Sequence, residues 1–482
     1  MYVLCYKSRQ KGGLILNSTM KRLVKVPRVM ITGISSGSGK TTMVCAVLQE
    51  LKRRNLSLAA CKCGPDYIDP MFHKAITGAK TANLDLFFTP PEVVREILYQ
   101  NSIDTDITII EGVMGYYDGM QLGKDTASSY DVAKQTRTPV ILAVSCKGMS
   151  LSLAAIIKGV MDFREDSNIQ GILLNGIGKA MYERIKPVIE EETKLPVVGF
   201  LPPLTDFKLE SRHLGLVTPD EIENLQKQLD YLSEIARESI DLDAILKIAE
   251  NAPEFEVREI DEVLDNSTVK KEEIIRIGYA YDKAFCFYYQ ENLQLLAKMG
   301  ATLVPFSPLM DATIPKNLNG LLLGGGYPEV YAKELEENIS MRKSIQEAIH
   351  SGVPCIAECG GFMYLHERMQ GKDEEWYEMV GAIPGDSFKT KRLVRFGYVT
   401  LIANEETAYS TKDEVIRGHE FHYWDSTDTG SDYTATKTSS AISYPTTHAR
   451  DNLMAGYPHL YYYSNPDFAR RFIERCKATR NI

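Results

Sequence analysis

The sequence Val-Met-Ile-Thr-Gly-Ile-Ser-Ser-Gly-Ser-Gly-Lys-Thr-Thr, residues 29–42, runs from an apolar segment through a Gly/Ser loop into a helix. The apolar run ends at Gly33, and the predicted helix continues from Met43 to Arg54. This order is typical of a phosphate-binding loop, in which backbone N–H groups surround phosphate oxygens, a lysine reaches the β- and γ-phosphates and a hydroxyl binds Mg²⁺. A plain turn between strand and helix is the weaker interpretation, because Gly-Lys-Thr-Thr stands directly at the junction. The predicted nucleotide-binding residues are Gly33, Gly37, Gly39, Lys40, Thr41 and Thr42.

Acidic residues follow the next predicted strands. The strand 56–62 leads into a proline-containing loop with Asp66 and Asp69, and the strand 107–110 ends at Glu111. In open parallel sheets, ligands bind at the carboxyl ends of the strands, so these carboxylates are expected near the phosphates. Turn formation and helix capping are the simpler roles for the two aspartates. We predict Mg²⁺ ligands at Thr41, Asp66 and Glu111.

Later strands complete the first alternating pattern. Strand 169–175 ends at Asn175, a position suited to recognition of the nucleotide base, and residues 139–145 and 196–202 form further strands. Alternating strands and helices predict a doubly wound, mostly parallel sheet. The segment 219–260 is polar, helical in period and rich in Glu and Lys, which favours the end of a domain followed by a linker.

The composition limits the classes of function. The chain has 482 residues, 44% hydrophobic and 25% charged, so it can hold two or three domains. A net charge of −9 argues against general nucleic-acid binding, and no apolar run is long enough to span a membrane. The nine cysteines show no C-x-x-C pair, which favours reduced thiols and a cytoplasmic location. Residues 1–25 are basic, lack a signal-peptide core and are expected to be a dispensable extension.

The second half contains a nucleophile-elbow pattern. A predicted strand ends at Cys359, Gly360 and Gly361 allow a sharp turn, and an apolar helix follows. A cysteine in this position is expected to act as a thiolate favoured by the helix N-terminus. Upstream, the backbone N–H groups of Gly325 and Gly326 could face an oxyanion, although a flexible turn is as good an interpretation there.

The thiolate also needs a histidine base, which the spacing alone does not select. One option is the pair His419 and His422, and the other is His459. The resulting domain prediction is an extension at 1–25, a nucleotide-binding domain at 26–235, a linker at 236–272 and a second α/β domain at 273–482. The fold class is α/β with two doubly wound domains.

Four blocks of sequence together resemble the cobyrinic acid a,c-diamide synthase family, in which a dethiobiotin-synthetase-like ATP domain is fused to a class I-type glutamine amidotransferase domain. The phosphate loop carries one residue more than the standard spacing, as in that branch of nucleotide-binding proteins. The blocks are Gly33–Thr42, Gly64–Pro70, Arg212–Leu216 and Glu358–Gly361. The segment Arg417–His422 supports the resemblance from the second domain.

The resemblance implies ATP- and glutamine-dependent amidation of the a- and c-acetate groups of a corrinoid, with ATP and Mg²⁺ at the first site. It implies Cys359 and His459 as the amidotransferase pair and leaves His419 and His422 structural or substrate-facing. Class I amidotransferases usually carry a Glu two residues after that histidine, whereas this chain has Tyr461. The candidates for positioning the ring are Asp69, Asp118 and Arg212.

Two alternatives remain open from the sequence. A nickel-sirohydrochlorin a,c-diamide synthase would use the same chemistry on a smaller tetrapyrrole, and no residue separates the two decisively. A P-loop ATPase switch of the partitioning type is disfavoured, because Ser35 stands where that branch carries a signature lysine and because Cys359 and His459 are both present. The expected partners are glutamine and a tetrapyrrole polycarboxylate, with no nucleic acid and no membrane; a homodimer is one option for the assembly.

Overall fold

A computed structural model describes most of the chain. The described residues are 21–78, 80–204, 211–212, 215–216, 218–219, 222, 224–258, 274–440 and 442–479. Within these ranges no helix is long and apolar enough to cross a membrane.

The first domain alternates strands and helices. Its strands are β1 (Lys21–Val24), β2 (Arg28–Gly33), β3 (Leu58–Cys63), β4 (Thr81–Leu84), β5 (Ile107–Glu111), β6 (Val140–Ser145), β7 (Ile169–Asn175), β8 (Val197–Leu201), β9 (Ser211–Arg212), β10 (Gly215–Leu216) and β11 (Phe255–Arg258). Its helices are α1 (Lys40–Arg53), α2 (Ile68–Thr77), α3 (Pro91–Ser102), α4 (Ser129–Gln135), α5 (Leu151–Asp162), α6 (Lys179–Thr193), α7 (Leu225–Ser239) and α8 (Leu242–Glu250).

Seven of these strands form one parallel sheet in the order β4-β3-β5-β2-β6-β7-β8. Their side chains are almost continuously buried, as expected for a parallel sheet covered on both faces. Helices α1, α7 and α8 contribute to the apolar cluster on one face, and α3, α5 and α6 to that on the other. The doubly wound prediction for this half is confirmed.

The domain extends beyond the limits predicted for it. Helix α8 buries Leu242, Ile245 and Ala249 in the cluster that also holds Val29 of β2, although the segment 236–272 was expected to be a linker. Strands β1 and β11 pair antiparallel, so part of the predicted extension 1–25 also contributes to the fold. The structure differs from the prediction here because these elements are polar in overall composition, and the apolar faces that they bury are narrow.

The second domain begins with a similar alternation. Its strands are β12 (Ile275–Ala280), β13 (Phe285–Phe287), β14 (Ala301–Phe306), β15 (Gly320–Leu323), β16 (Gly325–Gly326), β17 (Cys355–Glu358), β18 (Arg368–Gln370), β19 (Trp376–Glu378), β20 (Asp386–Lys389), β21 (Arg395–Ala403), β22 (Val415–His422), β23 (Trp424–Ser426), β24 (Tyr433–Lys437), β25 (Ser443–Thr446), β26 (His448–Arg450), β27 (Leu453–Gly456) and β28 (His459–Leu460). Its α-helices are α9 (Gln290–Lys298), α10 (Ala332–Glu337), α11 (Ile339–His350), α12 (Gly360–Leu365) and α13 (Pro466–Ala478).

The central sheet of this domain has the order β14-β12-β15-β17-β27-β26, and only the edge strand β26 runs antiparallel. Helices α10, α11 and α12 contribute to the core on one face, and α9 and α13 to that on the other. A five-stranded antiparallel sheet, β25-β24-β21-β22-β28, adds to the second core and carries His459 on β28. The α/β prediction is confirmed, and this additional sheet places the candidate base.

The two domains pack through polar and aromatic contacts. The backbone N–H of Asn83 donates to the Glu291 carboxylate at 2.5 Å, and the Tyr398 hydroxyl donates to Asp85 at 2.7 Å. The ring of Phe88 stacks on Tyr461 with centroids 4.6 Å apart. Because buried polar groups are expensive to leave unpaired, these bonds fix how the domains meet.

Candidate active sites

The phosphate loop depends on a close approach between backbone and side chain. Gly39 precedes α1 at φ 86°, in the left-handed region, and a Cβ on it would lie 2.2 Å from Asn175 Nδ2. The Asn175 amide donates to the Ser38 carbonyl at 2.9 Å. Asn175, expected to face a base, therefore braces the loop in this structure, and only glycine fits at position 39.

Lys40 is held inside the loop. Its Nζ donates to the carbonyls of Ser35 at 2.9 Å and Met114 at 2.6 Å. Burial, followed by the nearby charge of Lys62, lowers the pKa of Lys40 to about 8. A phosphate anion placed beside Lys40 would favour its charged form, which is the electrostatic property that a phosphate-binding lysine needs.

Thr41 and Glu111 meet next to Lys40. The Thr41 hydroxyl donates to Glu111 Oε1 at 2.7 Å, and His73 Nε2 lies 2.8 Å from Glu111 Oε2. The carboxylate of Glu111 is fully buried. Its burial opposes ionisation, but Lys62 and the hydrogen bond from His73 hold its pKa well below the usual range.

Lys62 is the functional candidate that the sequence reasoning missed. Its ammonium donates to Asp69 Oδ2 at 2.5 Å and to Glu111 Oε1 at 2.9 Å. Burial disfavours its charge, but these two carboxylates outweigh that effect and raise its pKa. The sequence signal for Lys62 is a lysine in an otherwise apolar strand, two residues before the Gly-Pro-Asp segment of the following loop.

The predicted ring-binding residues lie in different surroundings. Asp69 belongs to the buried cluster with Lys62, and burial with the neighbouring acid Asp66 raises its pKa. Asp118 accepts from the Gly115 N–H at 3.0 Å. Arg212 lies on the short strand β9, and its side chain is outside the described part of the structure.

Asp66 caps a helix, as its simpler interpretation suggested. Its Oδ1 accepts from the N–H groups of Ile68 at 2.8 Å and Asp69 at 3.1 Å. The hard oxygen donors assembled at Thr41 and Glu111 fit Mg²⁺, which is usually held by one or two protein oxygens together with phosphates and water. Among the described residues there is no group of three or more His, Cys, Asp or Glu side chains that could hold a metal ion.

The second site is built on the turn between β17 and α12. Cys359 adopts φ 49° and ψ −105°, outside the region that non-glycine residues favour, and its N–H donates to the Gly456 carbonyl at 2.8 Å. Such strain is typical of a nucleophile elbow. Burial raises the pKa of the Cys359 thiol, with the carboxylate of Glu329 as the next cause. The thiolate expected from the sequence therefore needs a base beyond its position at the helix start.

The glycine segment after β15 separates the elbow from His459. A Cβ on Gly325 would lie 2.3 Å from His459 Cε1, and a Cβ on Gly360 would lie 3.1 Å from the Gly326 nitrogen. Gly325 therefore adjoins His459, and Gly326 adjoins Gly360, the residue that follows Cys359.

The structure assigns different environments to the candidate histidines. His459 is buried beside Gly325, and its Nδ1 lies 3.8 Å from Glu358 Oε2. His422 stacks on Tyr457 at 3.9 Å. His419 is the register partner of His459 across β22 and β28. Burial, followed by the two other histidines, lowers the pKa of His459 to about 3, so its imidazole is neutral in the resting site.

Tyr461 occupies the position where class I amidotransferases usually carry an acid. Its hydroxyl donates to Glu291 at 3.3 Å, and its ring stacks on Phe88 of the first domain. The position two residues after His459 thus serves the domain interface.

Together the sites define a class of protein, a nucleotide-binding α/β domain joined to a glutamine amidotransferase-type domain. Residues 29–217 match the family model described as the CobQ/CobB/MinD/ParA nucleotide binding domain, and residues 276–467 match the CobB/CobQ-like glutamine amidotransferase domain. The chain belongs to the cobyrinate a,c-diamide synthase family.

Curated relatives with that name cover nearly the whole chain. The protein from Caldanaerobacter subterraneus subsp. tengcongensis is 38% identical over 452 residues, which cover 93% of this chain and 98% of the relative. The Listeria innocua protein is 40% identical, with coverage of 91% and 97%, and the Thermoplasma volcanium protein is 38% identical, with coverage of 94% and 98%.

Proposed function

We propose that this chain is a glutamine-hydrolysing amido-ligase that converts the a- and c-acetate carboxylates of cobyrinate to amides, as its relatives' names indicate. The observation that carries the proposal is the contact between the sites. Tyr67, in the loop between Asp66 and Asp69, lies with its ring centroid 4.9 Å from that of His459. A nucleotide site and a glutaminase site that adjoin in one chain support a reaction that uses both.

The first half-reaction is phosphorylation of the substrate. A carboxylate oxygen attacks the γ-phosphorus of ATP, the bond to the β–γ bridging oxygen breaks, and ADP leaves an acyl phosphate. Lys40 and the N–H groups of the loop hold the phosphate oxygens, while Thr41 and Glu111 would bind Mg²⁺. When bound, the metal ion supplies positive charge that offsets the phosphates.

The second half-reaction provides the nitrogen. The Cys359 sulfur attacks the glutamine carboxamide carbon as His459 removes the thiol proton, and His459 returns that proton to the departing ammonia. The Gly325 and Gly326 backbone is proposed to stabilise the oxyanion. Water then hydrolyses the thioester to glutamate and restores the thiol.

Ammonia must reach the acyl phosphate without being protonated in bulk water. The boundary beside Tyr67 is aromatic and buried, with Phe287 stacked at 5.4 Å and Tyr289 at 4.6 Å. We propose that ammonia crosses here, attacks the acyl carbon and displaces phosphate. A dry, apolar path keeps the ammonia uncharged and therefore nucleophilic.

The test compares ring substrates. Purified protein is incubated with MgATP, glutamine and either cobyrinate or nickel-sirohydrochlorin, and ADP release and product mass are followed. The proposal predicts glutamine-dependent ADP release and a diamide with cobyrinate. Amidation of nickel-sirohydrochlorin alone would favour the other synthase, and no glutamine-dependent ADP release with either ring would contradict the ligase assignment.

A further inference from the structure

The catalytic base of the second site has an unsatisfied nitrogen. His459 is buried, and across the described part of the chain its Nδ1 has no hydrogen-bond partner. A histidine that accepts a proton at Nε2 must carry its own proton on Nδ1, and a group that accepts from Nδ1 normally fixes that tautomer. The geometry therefore calls for an acceptor close to Nδ1.

The position that usually supplies such an acceptor is committed elsewhere. Tyr461 is directed to the domain boundary, where it donates to Glu291 and stacks on Phe88. The orienting group for His459 has to come from another part of the fold.

Glu358, the residue directly before the nucleophile, is in the right place. Its Oε2 lies 3.8 Å from His459 Nδ1, and its Oε1 accepts from the backbone N–H of Leu460 at 3.2 Å. The carboxylate is therefore anchored to the residue that follows the histidine. A shift of about 1 Å would convert the 3.8 Å approach into a hydrogen bond, and apo geometries at catalytic sites are often longer than those of the reacting complex.

We propose that Glu358 is the positioning acid of the glutaminase site, which accepts from His459 Nδ1 and stabilises the imidazolium formed when the Cys359 proton moves to Nε2. This inference rests on the proposed function. It places the acid and the nucleophile on consecutive residues, so one strand end, β17, aligns both with the histidine.

The ionised form of Glu358, which its role as an acceptor requires, becomes populated as the pH rises toward 8. Burial raises the pKa of Glu358 to about 8, and the Leu460 N–H partly offsets this. The titratable groups that interact with it are His459, Cys359 and the tyrosines Tyr67, Tyr288, Tyr289 and Tyr462. Burial raises the pKa values of the thiol and of all four phenols, so these groups remain neutral, and His459 provides the positive charge during the reaction.

The test uses Glu358→Gln in the full chain, with Glu347→Gln, an exposed acid on α11, as the matched control. Glutaminase kcat and KM are measured from pH 6 to pH 9, together with amidation driven by added ammonia. We expect kcat for glutamine to fall at least about 10²-fold with KM nearly unchanged, since loss of the orienting acid of a catalytic triad acts on this scale or above. In the unmodified protein, glutaminase activity should rise toward pH 8 as Glu358 ionises. This rise should be absent in Glu358→Gln, while ammonia-driven amidation continues.

Three results would overturn the inference. These are wild-type glutaminase kcat in Glu358→Gln, an unaltered pH profile, or equal losses of the glutamine- and ammonia-driven reactions in folded protein. If Glu358→Gln does not fold, Glu358→Asp provides the test. Shortening the side chain withdraws the carboxylate from His459 and should lower the glutaminase kcat more than tenfold. A wild-type kcat in Glu358→Asp would contradict the proposal. Absence of glutaminase activity in the unmodified protein would instead contradict the proposed function.

Discussion

The two sites handle buried charge in opposite ways. In the phosphate-loop site, the charged Lys62 lies between Asp69 and Glu111 and favours the ionised form of Glu111, whereas burial raises the pKa of Asp69. In the glutaminase site, burial favours the neutral forms of Cys359 and His459. One site is charged before its ligand arrives, and the other develops charge only during reaction.

This difference follows from the chemistry of the ligands. A nucleotide brings several negative charges and a metal ion, so a preformed set of paired charges can exchange partners with little rearrangement. Glutamine is neutral at its reacting carboxamide, and a thiol–imidazole pair reaches its ionic form only when the proton moves. Substitutions should therefore separate the sites, with losses at the first affecting both nitrogen sources and losses at the second affecting glutamine alone.

The largest loss is expected from Lys40→Ala. Removing the ammonium that we propose holds the transferring phosphate should lower amidation at least about 10³-fold with either glutamine or ammonia, since charge clamps on phosphoryl groups act on this scale. ADP release measures the effect. Lys158→Ala, at an exposed position on α5, should behave as wild type. Substantial amidation by Lys40→Ala would show that Lys40 does not have the proposed role in the nucleotide site.

Cys359→Ala should remove only one nitrogen source. Glutamine-driven amidation is expected to disappear because the proposed nucleophile is gone, while amidation with added ammonia should stay within about threefold of wild type. The matched control is Cys355→Ala, a buried cysteine four residues earlier, at the start of β17. Loss of the ammonia-driven reaction as well would make Cys359 structural.

Glu111→Gln should weaken Mg²⁺ binding at the first site. The change removes a charged oxygen next to Thr41 and leaves Lys62 with Asp69, so amidation is expected to fall about 10²-fold and the Mg²⁺ concentration for half-maximal rate to rise about 10- to 100-fold. Mg²⁺ titrations of ADP release test this. An unchanged Mg²⁺ dependence would show that Glu111 does not contribute to binding of the metal ion.

The smallest effect concerns the boundary between the sites. Burial raises the pKa of Glu291 to about 7, while hydrogen bonds from its own backbone, Asn83 and Tyr461 oppose the shift. A raised pKa adds stability that is fully present below the unfolded value of about 4.5 and is lost as pH rises through 7, up to about 3 kcal/mol. Glu291→Gln should therefore show a smaller fall in Tm between pH 5 and pH 8 than wild type. Glu347→Gln should follow wild type, and parallel Tm curves for wild type and Glu291→Gln would contradict the assignment.

Local pattern in the sequence predicted the loop and the elbow well. The order strand, glycine loop and Lys40 appears directly in the chain, and so does the sharp turn at Cys359. In both places the chemistry is carried by neighbouring residues, so no long-range information was needed to find them.

Residues that act across strands were harder to predict. Lys62 and Glu111 are register partners in the β3–β5 pair, and register is not visible from either strand alone. Glu358 was overlooked because its partner His459 lies far along the chain, on a strand of a different sheet. The catalytic roles of the predicted site residues remain predictions that the variants above test.

The central claim is that both sites act as one enzyme across the packed boundary. The most direct measurement supplies amide-¹⁵N glutamine, MgATP and cobyrinate in a buffer that contains unlabelled ammonium, and determines the label in the product together with ADP. We predict that both new amides carry ¹⁵N and that one ADP forms per amide. Amides that carry mainly unlabelled nitrogen, or amides formed without ADP, would contradict the account.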